Sequence, residues 1–386
     1  MKKRQILIVE PNLDGHHAFY LSLIVKALRG NHLTLLTQKD TSALNEHFDQ
    51  REIEKDAIAI VHTTAGKQAE IYKQACGLTR DQHFDHVFIP YLDHYLPIIL
   101  GESDQLNVPV SGIWFHPHAL DAYYRWMPPF DKRQRERGRI NRRLRMKKKA
   151  QGLQHIFFLD PEAPIRLKKI NPSITSSVLP DPGERRPRLS QTEARERFNL
   201  PQNKTIFLHA GSPEKRKGLP DLISAFCKLS TDKQWSQKAC LLRIGSNDRL
   251  STKVNKQLQL LTDLRLAIVS NQFVSSGDFI EYFAAADCVV IPYRKFRFSS
   301  GILANATMAK RPVICSNYGL IAETVKANKL GTCYRHGSTR ALAKSIREFT
   351  PHNIDISTVR TPEEFIQTLS SHIFNSSSHE NITHIE

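Results

Sequence analysis

The chain has 386 residues, 40% of them hydrophobic, and carries 55 Lys and Arg against 38 Asp and Glu, a formal net charge of +17. That length exceeds one ordinary domain and suits two of roughly 150–200 residues, while the longest apolar runs fall far short of the ~20 residues that cross a bilayer. The charge excess points to a polyanionic partner: nucleic acid, an anionic membrane or an acidic substrate.

The N-terminus is positively charged and then apolar over Ile6-Leu7-Ile8-Val9. A signal peptide needs a longer run and a small-residue cleavage site, so a first buried strand over 5–9 is expected, and with it a cytoplasmic protein. The loop Pro11-Asn12-Leu13-Asp14-Gly15-His16-His17 follows. Phe19, Tyr20, Leu23, Ile24 and Leu28 then recur at helical spacing, and a strand is expected over 33–36. This strand–loop–helix–strand unit belongs to doubly wound α/β domains. Further strands are expected at 57–61, 86–90, 110–115 and 156–159, with a helix over 67–76.

Three prolines and a glycine between Leu179 and Pro187 break both helix and strand and read as a linker. A helix over 191–198, capped by Ser190, leads into a second α/β set. Its strands are expected at 205–210, 239–244, 266–269, 288–292 and 312–315. Its helices are expected at 219–229, 251–261, 277–286 and 303–309, with two more at 341–348 and 362–372. The expected division is a first domain over 1–180, a linker over 181–203, a second domain over 204–350, a helical segment over 351–374 and a disordered tail over 375–386. Two such domains facing each other make a cleft, a common ligand site. The six cysteines are scattered without a CxxC pair and read as buried free thiols rather than metal ligands.

About half the excess charge lies in one segment. Asp131 to Lys149 holds eleven Lys or Arg and two acids. The aromatic stretch Tyr123-Tyr124-Arg125-Trp126 precedes it, and Ile140, Leu144 and Met146 interrupt it among Arg139, Arg142, Arg143 and Arg145. Such a helix could lie on an anionic membrane or dock a lipid. It could equally be a solvated charged helix or bind an anionic polymer. No RNA- or DNA-binding motif accompanies it, so nucleic acid is not an expected partner.

Two loops of the second domain suit an anion. Pro292-Tyr293 ends a buried strand, and a polar loop runs to Ser299-Ser300-Gly301, where a helix begins. Free backbone N–H groups, two hydroxyls and the helix dipole then converge, although serine is also an ordinary helix cap. The second loop, His209-Ala210-Gly211-Ser212-Pro213-Glu214-Lys215-Arg216-Lys217-Gly218, offers three cations between two glycines just before a helix. Lysine binds phosphate as a point charge and arginine bidentately. Together the loops favour a diphosphate site at strand ends.

Residues 204–335 resemble the donor domain of the retaining, nucleotide-sugar-dependent glycosyltransferases of group 1, family 4-like, which have the GT-B fold. The likeness rests on Gly211 to Gly218 with Leu222 and Ala225, on Phe283 to Tyr293, on Ser299-Ser300-Gly301, on Arg311-Pro312-Val313-Ile314 and on Ser316 to Val325. It implies an α/β fold of two Rossmann-like doubly wound domains facing across a cleft. It also implies sugar transfer from a nucleotide-sugar to a hydroxyl of a lipid-linked or polysaccharide acceptor, with retention. Lys217 and Arg216 would neutralise the donor diphosphate, and Ser299, Ser300 and Gly301 would bind its distal phosphate. Gly15 and His16, where the family often has a glycine-rich loop, would face the donor, as would Glu323. No metal and no cofactor besides the substrate is implied. The family usually carries two glutamates where this chain has Arg297 and Asn305. Asn305 can still bond a ribose hydroxyl, whereas Arg297 cannot replace a carboxylate.

Polar residues after the first-domain strands complete the candidates. Asp93 and His116 follow two of these strands, and either could orient or deprotonate the acceptor hydroxyl. The missing glutamates also admit a catalytically silent nucleotide-sugar-binding or scaffold protein on the same fold. The basic segment admits a peripheral position on the inner face of the membrane.

Overall fold

A computed structural model of the chain describes residues 3–14, 16–38, 40–54, 56–101, 106–121, 132–146, 150, 152–248, 250–271, 274–355 and 361–373. These fall into two compact units, one ending at Pro180 and resuming at Glu363, the other Asp181–Pro362. The aromatic stretch 123–130, Gly15, Lys147 to Lys149 and the tail from 374 lie outside the described residues.

The first unit is built on seven parallel strands: β1 (Gln5–Val9), β2 (His32–Thr37), β3 (Ala59–His62), β4 (His86–Ile89), β5 (Val110–Ile113), β6 (Leu153–Phe158) and β7 (Thr175–Val178). Their order is β3-β2-β1-β4-β5-β6-β7. In register, Leu7 stands between Thr34 and Val87. Leu7 and Val9 enter one core with Leu36, Val87 and Ile89. Ile6 and Ile8 enter the opposite core with Leu33, Leu35 and Phe88. Both faces are buried, which is why the strands read as unbroken apolar runs rather than as alternation.

The last helix, Pro362–Ile373, belongs to this unit. Phe365, Leu369 and Ile373, four residues apart and so on one helical face, are buried in the core of Ile6 and Phe88. The separate helical segment expected at the C-terminus is therefore the last piece of the first unit's core.

The second unit repeats the plan with β8 (Thr205–Ala210), β9 (Ala239–Ile244), β10 (Ala267–Ser270), β11 (Cys288–Ile291), β12 (Val313–Ser316) and β13 (Gly331–Tyr334), all parallel, ordered β10-β9-β8-β11-β12-β13. The segment 181–203 is packed into it. Arg185 donates to Gly277 O at 2.8 Å and to Glu281 Oε1 at 2.9 Å, and Glu281 also accepts the backbone N–H groups of Arg188 and Leu189. Buried Arg195 pairs with Asp287 at 2.6 Å. The prolines keep 180–190 out of helix and strand, the helix Gln191–Arg197 follows, and long-range ion pairs that no local pattern displays fix the path.

Among the described residues no helix is long and apolar enough to cross a membrane.

Candidate functional site

In each sheet the strand order reverses once: between β1 and β4 in the first unit, and between β8 and β11 in the second. Loops leaving the carboxyl ends of such a strand pair enclose the usual ligand crevice of open α/β sheets. The two loops singled out in the second domain leave β8 and β11.

After β8, Gly211 turns at φ 113° and donates to Ile244 O at 3.0 Å. A short 3-10 turn, Lys215–Lys217, ends on Gly218 at φ 67°, which caps the helix Leu219–Leu229. A Cβ at Gly218 would collide with the carbonyl of Pro292, so only glycine lets the two loops meet. They are also hydrogen-bonded, Arg294 N–H to Arg216 O at 2.6 Å. The β11 loop is pinned from its other side. Ser316 Oγ donates to Tyr293 O at 2.9 Å, and Leu320 N–H donates to Arg297 O at 3.0 Å.

Ser300 stands at the N-cap of the helix Gly301–Met308, yet its hydroxyl caps nothing and lies 3.5 Å from the Tyr293 hydroxyl. Leu303 N–H donates to Ser300 O at 2.9 Å, while the N–H groups of Gly301 and Ile302 have no partner among the described residues, beside an exposed Gly301 and a half-buried Ser299.

The cations of this site are unevenly compensated. Arg216 pairs with Glu214 at 2.7 Å and lies 4.7 Å over the Phe296 ring. Lys217 has no hydrogen-bonded or ion-paired partner among the described residues. Its ammonium rests against Gly211, where a Cβ would strike Nζ. Burial and the positive charge of Arg216 push its pKa down to about 8, with Arg243 adding to the effect.

Arg243 was not singled out by sequence. It interrupts the apolar run of β9, is 0% exposed, and donates to Ile244 O, Ser246 O (2.8 Å) and Asn247 Oδ1 (3.3 Å), with no carboxylate partner among the described residues. Burial alone pulls its pKa down to about 10. A charge among neutral carbonyls is costly unless something of opposite sign arrives. The only signal for it in the sequence is an arginine inside Leu241-Leu242-Arg243-Ile244, which also reads as a strand edge. Beneath both, His209 is buried, with its pKa pulled to about 3 by desolvation first and Arg243 second. Its Nε2 donates to Lys217 O at 3.3 Å and fixes the turn.

The first unit offers a different set at its own reversal. Glu10, at the end of β1, is 1% exposed; its Oε1 accepts the Asn12 N–H at 3.1 Å and lies 3.3 Å from His17 Nδ1. The His17 ring stacks on Tyr91 at 4.0 Å, and Tyr91 stacks on Phe115 at 4.4 Å. His16 is exposed at the helix start, with its ring 5.8 Å from that of Tyr91. Asp93 and His116 are brought together. The two Asp93 oxygens accept the backbone N–H groups of Phe115 (2.9 Å) and His116 (2.8 Å), and His116 Nδ1 lies 3.3 Å away. Asp93 is mostly buried, while the His116 side chain is 46% exposed.

Other expected contacts take different places. Asn305 is 4% exposed, and its Oδ1 accepts the Glu184 N–H at 2.8 Å, so its carbonyl holds the segment after Pro182 rather than facing outward. Glu323 is exposed on the helix Gly319–Ala327.

The basic helix, Lys132–Arg145, departs most from expectation. Ile140 and Leu144, its presumed membrane-facing residues, are buried in the first unit's core. Arg143 is turned inward, donating to Pro97 O at 3.4 Å. Arg139, Arg142 and Arg145 remain exposed, so this helix presents charge rather than an apolar stripe.

With this geometry, the architecture is of the GT-B kind, two parallel α/β Rossmann-like units with a cationic strand-end site in the second. Residues 190–357 match the family model described as glycosyl transferases group 1. No curated protein matches the sequence. The structure is similar to sucrose-phosphate synthase from Thermosynechococcus elongatus (17% identity, TM-score 0.65, 96% of this chain and 95% of that one). It is also similar to Anabaena HepE, solved with UDP and glucose (14%, 0.62, 95% and 95%), and to WaaG, a glycosyltransferase involved in lipopolysaccharide biosynthesis (16%, 0.62, 95% and 95%). At such identities the neighbours establish the fold. The family model matches residues 190–357, within the second unit, which is thus similar to glycosyl transferases of group 1.

Proposed function

We propose that this chain moves a sugar from a nucleotide-sugar donor to a hydroxyl of a glycan or lipid-linked acceptor, with retention and without a metal. The observation that carries the reading is the pair Lys217 and Arg243 at the β8–β9 strand ends, with no carboxylate partner among the described residues, on a loop hydrogen-bonded to the one that leads to the helix start at Ser300-Gly301. A departing nucleoside diphosphate gains negative charge in the transition state, and fixed cations and N–H groups in a poorly solvated site stabilise that charge best. The UDP and UDP-glucose complexes of HepE support a uridine donor as the first to try.

Lys217 acts on the diphosphate directly. Arg243 adds field from beneath without needing contact. Ser299, Ser300 and Gly301 receive the distal phosphate. Arg216 shares its charge with Glu214 and contributes less. On the first unit, the 3.3 Å contact supports His116 as the proton acceptor and Asp93 as the group that orients it. Gly15 and His16 are assigned to the donor side by resemblance alone. The exposed Arg139, Arg142 and Arg145 support electrostatic docking on an anionic membrane surface, as expected of a peripheral protein that works on lipid-linked acceptors.

The test is calorimetric titration of the full chain with a panel of nucleotide-sugars, followed by assay of donor hydrolysis and transfer. Saturable binding of one donor with slow hydrolysis is expected. No binding across the panel would remove the proposal, and binding without any turnover would leave the chain as a nucleotide-sugar-binding protein, the reading that Arg297 in a carboxylate's position favours.

A further inference from the structure

Arg216 and Lys217 are neighbours in sequence but serve opposite sides of their turn. Lys217 lies against Gly211, which is bonded to the end of β9. Arg216 lies over Tyr293 and Phe296, on the side of β11. Beyond Arg216 the loops after β8, β11 and β13 enclose an open pocket of about 580 Å³, lined by Lys215, Arg216, Arg294, Lys295, His336 and Gly337. Neither Lys217 nor Ser299-Ser300-Gly301 contributes to its wall.

Four of these lining side chains are cations. Glu214 compensates Arg216, and Asp221 grips Arg294 through both Nε and Nη2. Lys215 and Lys295 are exposed and have no carboxylate partner among the described residues. Two positive charges are thus left over in a concave surface, with exposed Arg335 next to His336. One feature marks the wall as more than a solvated rim: His336 is fixed by its backbone N–H to Asn317 Oδ1 at 2.7 Å, yet its Nδ1 is buried with no hydrogen-bond partner among the described residues.

We propose that this pocket is a second anion site, separate from the donor diphosphate, which takes the phosphate group of a phosphate monoester. Such a group carries about −1.5 to −2 charges and three strong acceptor oxygens, which matches two uncompensated lysines, whereas a carboxylate carries only one charge. The pocket lies within the roughly 300–1,000 Å³ range of small-molecule sites, so it has room for the group esterified to the phosphate. A soluble sugar phosphate and a lipid phosphate share this chemistry. The inference does not depend on glycosyl transfer.

The test is calorimetry at low salt on the wild-type chain, a Lys215→Ala/Lys295→Ala double variant and Lys217→Ala. The probes are glucose 6-phosphate, dihexanoyl phosphatidic acid below its micellar concentration, and glucose. At least one monoester is expected to bind the wild type, to weaken tenfold or more in the double variant, and to stay within twofold in Lys217→Ala; glucose should not bind. The monoester that binds more tightly identifies the source. Absence of binding by both monoesters, equal binding by the double variant, or loss in Lys217→Ala instead would overturn the site. Both lysines are exposed, so the double variant is expected to keep the wild-type melting temperature. Nucleotide-sugar binding without monoester binding would overturn only this pocket, and the converse would overturn only the proposed donor reaction.

Discussion

The two units share one topology and differ in the charge at their strand-order reversals. In the first, β1 ends on buried Glu10 beside His17 and Tyr91, and Asp93 holds the loop after β5. In the second, β8 and β9 lead to Lys217 and Arg243, which have no carboxylate partner among the described residues, while Glu214 and Asp221 are spent on Arg216 and Arg294. The backbone does not set this difference. It is set by a handful of side chains at equivalent strand ends, and it separates a unit that can hold or move a proton from one that can hold an anion.

The comparison can be broken most decisively at Lys217. Lys217→Glu reverses the charge that the second unit leaves open and is expected to abolish donor binding, a loss of at least a hundredfold in calorimetry, with the fold retained. Arg243→Met should weaken donor binding less, and should lower stability by about 1–3 kcal/mol in denaturant unfolding because buried carbonyls lose their donor. In the first unit, Asp93→Ala strips two backbone N–H groups of their acceptor. We expect a loss of about 1–3 kcal/mol of stability together with reduced turnover, whereas His116→Ala should reduce turnover with little change in melting.

A pH titration sharpens the same contrast. Lys217 has its pKa lowered to about 8, so it is charged below that pH and loses its charge as pH rises through it. Donor affinity should therefore fall above about pH 8. Lys217→Arg should flatten this profile, and an unchanged slope in that variant would assign the titration to another group. The smallest effect is expected at the basic helix. Replacing Arg139, Arg142 and Arg145 by Glu should release the protein from anionic vesicles in co-sedimentation, each removed cation contributing about 1 kcal/mol near the surface. Arg143→Met should leave vesicle binding nearly intact and lower the melting temperature, since that side chain serves Pro97 O.

Most of the fold was legible because parallel strands buried on both faces write long apolar runs. The strands at Thr205–Ala210 and Ala239–Ile244 stand where the pattern put them. The edge strands β7, Thr-Ser-Ser-Val, and β13, Gly-Thr-Cys-Tyr, were not legible, because a half-exposed edge needs no apolar run. The Gly211 and Ser299 loops were legible by their glycines, cations and place before a helix. Arg243 and Glu10 were hidden because a single charge at the end of an apolar strand reads as the strand's boundary, and only burial reveals its cost. The basic helix misled in the opposite way. Ile140 and Leu144 have the spacing of a membrane-facing stripe, and nothing local distinguishes a membrane from the protein's own core.

The central claim is that the second unit holds a diphosphate through Lys217. Its most direct measurement is titration of ADP, GDP, CDP, UDP and dTDP, each in turn, into the wild-type chain and Lys217→Ala at pH 7 and low salt. A nucleoside diphosphate should bind the wild type, and the variant should bind it more weakly by about 1.5–3 kcal/mol, the range for a charge-assisted contact, or on the order of 10- to 100-fold. Equal affinity in the two proteins would contradict the claim.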